Sequence, residues 1–158
     1  MITETELQQL RERQKHIRIE WVRESGLRTE LVEPYHVRLV MPMTAKHLNH
    51  VNIAYAGTEF VTIEMSAGAW FFASYGLTEY IPIVRNISID YLRPTQKDLV
   101  ADIHTTPEEA EEKMKVIREI GKGEMEVPVS LKDADGREVA RAVVTFYVMP
   151  YTENFMRK

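Results

Sequence analysis

The sequence predicts an α+β domain in which an antiparallel β-sheet curls around one long buried helix. Three observations predict it. The stretch from Phe60 to Tyr75 is apolar on every face at helical spacing, which is the pattern of a helix wrapped by protein. The second half of the chain alternates apolar and polar residues in several short runs. Short links join most of those runs, one of them an Asp-Gly turn, and this favours antiparallel pairing.

The first element is a helix within residues 1–26. Leu7, Leu10, Ile17 and Trp21 fall on one stripe, with Gln14 between. Thr3 and Glu6 have the spacing of a capping box, and Gly26 is a stop signal. The stripe is narrow, so this helix is expected to dock on the outside of the domain. Tyr35, Val37, Leu39, Met41 and Met43 then alternate as a strand, with Pro34 and Pro42 marking an edge or its ends. A polar stretch containing His47, Asn49 and His50 leads into the central helix, residues 56–76, which Gly76 closes.

Pro82 interrupts the chain after that helix. Ile83 to Arg93 alternates again and ends at Pro94, and Leu99, Ala101, Ile103 and Thr105 suggest another strand. Thr106-Pro107-Glu108-Glu109 is a helix start, predicting a short exposed helix to about Glu119. Met125 to Leu131 and Val139 to Met149 flank the turn Asp133-Ala134-Asp135-Gly136 and read as a hairpin. The last eight residues are expected to be loosely ordered.

Composition excludes several classes. The 158 residues fit one domain, 1–158, with an ordinary apolar share. The net charge of −4 argues against general nucleic-acid affinity. The absence of cysteine removes thiol catalysis, disulfides and cysteine-based zinc sites. His47 and His50 are three apart, but no nearby aspartate or cysteine completes a metal site, so no metal is expected. The N-terminus is too charged for a signal peptide. Glu59, Thr62, Glu64 and Ser66 break the central segment, so no membrane span is expected and the protein reads as cytoplasmic.

One carboxylate stands out chemically. Glu64 lies well inside the apolar helix, where a charge needs a partner or a task, and burial would raise its pKa. Glu59 lies in the first turn, where an acid complements the helix dipole, and reads as structural.

The spacing of polar residues around the helix start carries a resemblance. Asn49 is followed, after five intervening residues, by Tyr55-Ala56-Gly57, and Glu64 stands seven residues after Gly57. Downstream runs Asp90-Tyr91-Leu92-Arg93-Pro94. On these motifs the chain resembles the hotdog-fold acyl-CoA thioesterases, closest to the phenylacetate-pathway (PaaI-like) branch, over nearly its whole length. The N-terminal helix is an extension. The resemblance implies hydrolysis of an acyl-CoA or acyl-carrier thioester without metal or redox cofactor. It assigns Glu64 to attack or water activation, the Gly57 amide to the oxyanion and Asn49 to orientation. Tyr55, His50 and Thr58 are candidate substrate contacts, and Arg93 and Lys97 candidate partners for the phosphates of coenzyme A. Tyr55 and Ala56 replace the family's His and first Gly. That replacement supports an alternative, a non-catalytic acyl-CoA-binding module.

Geometry adds an expected partner. Seven residues at a rise of about 1.5 Å put Glu64 roughly 10 Å along the axis from Gly57. Glu64 would not comfortably reach a carbonyl held at its own helix start. Gly57 of one chain facing Glu64 of another solves this, as in the family, so a homodimer or a dimer of dimers is expected.

Overall fold

The computed structural model describes residues 2–152. Helix α1 (Glu4–Lys15) opens the chain, and the Thr3–Glu6 capping box is formed in both directions. The single N-terminal helix expected within 1–26 is two helices. Helix α1 gives way at His16, and α2 (Glu20–Ser25) starts after Ile19. The reason is angular. In a continuous helix Trp21 would lie almost beneath Leu10, with Val22 about 100° away. The break lets Ile17 and Val22 join Leu7 and Leu10 in the core and leaves Trp21 61% exposed. Gly26, at φ 84°, ends α2.

Strand β1 (Arg28–Glu33) follows, an element absent from the sequence reading. Only Val32 in it is buried, so it carries almost no alternation to detect. A turn at Pro34-Tyr35 leads to β2 (His36–Met41). This strand is shorter than expected, because Tyr35 sits in the turn at φ 64° and Pro42 follows its last residue. Helix α3 (Ala56–Tyr75) matches the expected central helix, with Gly76 after it.

Strand β3 (Tyr80–Tyr91) begins before Pro82 rather than after it. It is an edge strand paired only with the last strand, so the missing N–H can face the unpaired side. Then come β4 (Leu99–His104), α4 (Pro107–Ile120), β5 (Gly123–Asp133) and β6 (Glu138–Pro150). Helix α4 is not simply exposed, since Ala110, Met114 and Ile117 form a buried face. The expected loose tail lies mostly outside the described residues.

The six strands form one antiparallel sheet in the order β1-β2-β4-β5-β6-β3. Helix α3 packs against β2 to β6. Trp70 and Phe71 of α3 are fully buried with Leu39, Leu99, Leu131 and Phe146 from the sheet. Burial of each such large side chain contributes about 1.5–3 kcal/mol. The polar residues inside α3 are satisfied locally. Thr62 Oγ1 donates to Thr58 O at 2.8 Å and Ser66 Oγ to Thr62 O at 2.6 Å. Trp70 Nε1 donates to Thr105 Oγ1 at 3.2 Å, and the Tyr75 hydroxyl to Ala110 O at 2.8 Å.

The helix is not wrapped on every face within one chain. Phe60 is 43% exposed, and Glu64, Gly68 and Phe72 along the same stripe are only half-buried. Among the described residues no helix is long and apolar enough to cross a membrane.

Candidate functional site

The start of α3 is fixed by the segment before it. Ala45–His47 forms one 3₁₀ turn, in which Thr44 N donates to His47 Nδ1 at 3.0 Å. The His47 carbonyl accepts from Tyr55 N at 2.9 Å and from Thr58 Oγ1 at 3.3 Å. The turn is thus bonded directly to the first residues of the helix. Between them, Asn49 Oδ1 accepts from Val51 N at 3.0 Å and Ile53 N at 3.3 Å. Ala54 N donates to Thr95 O at 2.7 Å, which ties this loop to the one after β3.

Tyr55 is the N-cap of α3, and its side chain makes no capping bond. Its carbonyl accepts from Thr58 N at 2.8 Å and Glu59 N at 3.2 Å. The Gly57 amide makes no hydrogen bond among the described residues. It therefore presents a donor at the positive end of a 20-residue helix dipole. The Tyr55 ring lies against Gly57, where a β-carbon would come within 2.4 Å of Tyr55 Cε1. Glycine is favoured there by contact with the ring, since no left-handed φ is involved.

Two carboxylates follow in the helix. Glu64 is half-buried, and burial raises its pKa. Glu59 is more deeply placed, 4% exposed, and burial pushes its pKa up to about 7. The sequence reading of Glu59 as a first-turn complement to the dipole accounts for its position but not for this burial. Tyr91, whose pKa is raised first by burial and then by Glu59 and Tyr55, donates its hydroxyl to Ala56 O at 3.3 Å.

A cavity of about 600 Å³ opens beside the helix start. Trp21, Met41, His47, Tyr55, Gly57 and Phe60 line it, with Thr58 and Val61. Of the predicted site residues, Tyr55, Gly57 and Thr58 come together here. Glu64 and Asn49 do not line this cavity, and His50 is exposed in the loop. Arg93 Nη1 donates to Glu138 O at 2.8 Å, and Lys97 pairs with Asp135.

His47 also lines the cavity, and sequence reasoning weighed it only as a metal ligand. It is 4% exposed, with the Ser25 backbone beside its ring. Burial holds its pKa below the ordinary histidine value. The Ser25 backbone opposes that shift and Lys46 adds to it. The signal available in the sequence was its place three residues after Thr44, a capping-box spacing.

The curled antiparallel sheet, the central helix and the N-terminal helices define a hotdog-fold protein. The chain belongs to the DUF4442 family, a domain of unknown function, which matches residues 14–148. PA5026 from Pseudomonas aeruginosa, a protein of unknown function described as a probable thioesterase, is 30% identical to it. The match covers 96% of this chain and 99% of that one, with a TM-score of 0.83. Two more distant structures share the fold. A mutant of the thioesterase PA1618 from Pseudomonas aeruginosa is 17% identical over 92% of this chain and 94% of that one, with a TM-score of 0.68. The protein smu.793 from Streptococcus mutans, bound to acetyl-CoA, is 19% identical over 80% and 91%, with a TM-score of 0.60. No curated protein matches the chain.

Proposed function

We propose that the protein hydrolyses an acyl-CoA thioester. The observation that carries this reading is the unbonded Gly57 amide, at the start of a long buried helix and on the wall of a cavity whose lining mixes Met41, Phe60 and Val61 with Glu24, Lys46 and His47. Such an amide suits the charge that develops on a thioester oxygen, because it needs no rearrangement to meet it. The 30% identical probable thioesterase supports the same class of reaction.

In this reading a carboxylate takes a proton from water as the water oxygen adds to the carbonyl carbon. The C–S bond then breaks, and the thiol and the acid leave. Glu64 is the assigned base, since its raised pKa makes it a stronger proton acceptor than an exposed glutamate. It stands two turns beyond Gly57 on the same helix, so it serves the Gly57 amide of a second copy. The open stripe of Phe60, Glu64, Gly68 and Phe72 supports that homodimer. So does the exposed edge strand β3, with Ile83 and Val84 open to solvent. Asn49 retains only its amide N–H groups for substrate, because its oxygen is engaged in the loop.

A specific observation favours a second reading. The Tyr55 ring packed on Gly57 stands where the resembling family has a histidine, and a site so altered could bind an acyl-CoA without turning it over. The deciding experiment is free-thiol release from short, long and aryl acyl-CoAs, with Glu64→Gln alongside. Turnover that falls at least 100-fold in the variant establishes hydrolysis and the role of Glu64. No release by the native protein, with acyl-CoA still raising its melting temperature, establishes the binding module instead.

A further inference from the structure

The sheet brings together two histidines that lie far apart in the chain. His36 of β2 and His104 of β4 are direct partners in the antiparallel ladder. Their neighbours Val37, Leu39 and Ile103 point into the core, so the alternation of the strands turns both imidazoles to the outer face. The ring centres stand 4.8 Å apart and are tilted by 41°. Two imidazoles bound to one ion through nitrogens at about 2.0–2.1 Å, with a near-tetrahedral angle between them, have ring centres roughly 5 Å apart. The pair already has the spacing of a chelate. Two strands hold it there, because directly opposed residues of a ladder keep their side chains adjacent.

The polar neighbours suit a metal ligand. Asp102 Oδ1 lies 2.7 Å from His36 Nε2. An ionised carboxylate only accepts, so Nε2 donates and the lone pair of the neutral ring is on Nδ1. A carboxylate behind a histidine fixes its tautomer and makes it a stronger ligand. No side-chain hydrogen bond or ion pair engages His104 among the described residues, so its ring nitrogens are uncommitted. Arg38, a cation close by, is itself held by Glu30 at 3.4 Å and Asp102 at 3.8 Å. Asp102 and His104 also line a cavity of about 340 Å³, which has room for water.

We propose that His36 and His104 chelate a divalent transition-metal ion, with Asp102 orienting His36 from behind. Imidazole nitrogen suits zinc, nickel and copper, whereas magnesium and calcium take oxygen ligands. No group of three His, Cys, Asp or Glu side chains among the described residues is placed to hold an ion directly. Water therefore completes the coordination, and the ion is exchangeable. The site shares no residue with the cavity at the start of α3, and it stands whether or not the protein hydrolyses a thioester.

Calorimetry with Ni²⁺ tests it. The native protein should bind one ion per chain at this site, and Mg²⁺ should give no binding there. Asp102→Asn keeps both ligands and should weaken Ni²⁺ about tenfold, the effect of losing the partner that orients a ligating histidine. His36→Gln and His104→Gln should each weaken it further than that. His50→Gln removes an exposed histidine outside the pair and should change nothing. Ni²⁺ should also raise the melting temperature of the native protein and not that of His104→Gln. Melts without metal check that every variant is folded. Equal Ni²⁺ affinity in the native protein and His104→Gln overturns the chelate, and so does the absence of binding to the native protein. Loss in both histidine variants with full affinity in Asp102→Asn upholds the chelate and overturns the role of Asp102.

Discussion

The Tyr55 ring and Gly57 are in contact at the first turn of α3, and a β-carbon at position 57 would stand 2.4 Å from Tyr55 Cε1. Gly57→Ala must therefore move the ring. Tyr55 is 57% exposed, so the ring can swing outward at little cost to the fold. The expected loss of stability is under about 1 kcal/mol. Hydrolysis should fall about 100-fold, the effect of losing one oxyanion donor, because the added methyl and displaced ring crowd the amide. Thermal melts and thiol release measured on the same samples check both halves. Recovery of activity in Tyr55→Ser/Gly57→Ala would show that the ring, and not the methyl, was the obstruction.

What the sequence could reveal followed from how each residue does its work. The apolar run of α3, the capping box at Thr3, the helix start at Thr106-Pro107 and the Asp133–Gly136 hairpin are local signals, and each is in place. β1 was illegible because an edge strand with one buried side chain has no alternation to read. The split between α1 and α2 was illegible because Trp21 fits a helical stripe better than Val22 does, and only the packed core reverses that choice. At the site, Tyr55, Gly57 and Thr58 were reached through the family resemblance that the spacing of Asn49, Gly57 and Glu64 carries. The Thr44–His47 spacing encodes only the turn, whereas the burial of His47 and of Glu59 depends on neighbours distant in sequence.

Glu59 makes the protein's stability depend on pH. Burial favours its protonated form, so folding takes up a proton between about pH 4.5, the ordinary glutamate value, and about pH 7. Stability should fall as pH rises through that window. Glu59→Gln carries no charge at any pH. It should be the more stable protein above pH 7, by on the order of 1–3 kcal/mol, and the margin should close below pH 4.5. Chemical denaturation at pH 4, 6 and 8 measures this. Parallel pH curves for the two proteins would mean that the carboxylate stays hydrated in the folded chain.

His47 works in the opposite direction. Its folded pKa lies below the ordinary 6.5, chiefly through burial, so the unfolded chain binds the proton more readily. Its neutral form supports the fold above pH 6.5, and that contribution is lost as pH falls below it. His47→Gln should flatten this part of the stability curve. Chemical denaturation at pH 5, 6 and 8 measures this, and a curve unchanged in the variant would mean that the ring is as well hydrated folded as unfolded.

Glu6 links the two ends of the α1–α3 contact. Its Oε2 accepts from Thr3 N at 3.0 Å and Thr3 Oγ1 at 2.8 Å, closing the cap of α1. Its Oε1 accepts from Leu77 N at 3.2 Å and Thr78 Oγ1 at 3.1 Å, just past the end of α3. The Thr3 backbone bond is the largest influence on its pKa, which lies at about 2 despite an opposing contribution from burial. A depressed carboxylate stabilises the fold above its unfolded value near 4.5, and that stability is lost as pH falls toward 2. Glu6→Gln should therefore destabilise the protein at pH 7 by about 1 kcal/mol, the effect of a lost cap, and by progressively less below pH 4. Because α2 continues from α1 and walls the cavity, hydrogen exchange should also rise in α2 of the variant. Unchanged exchange there, with the stability loss present, would confine the role of Glu6 to the cap.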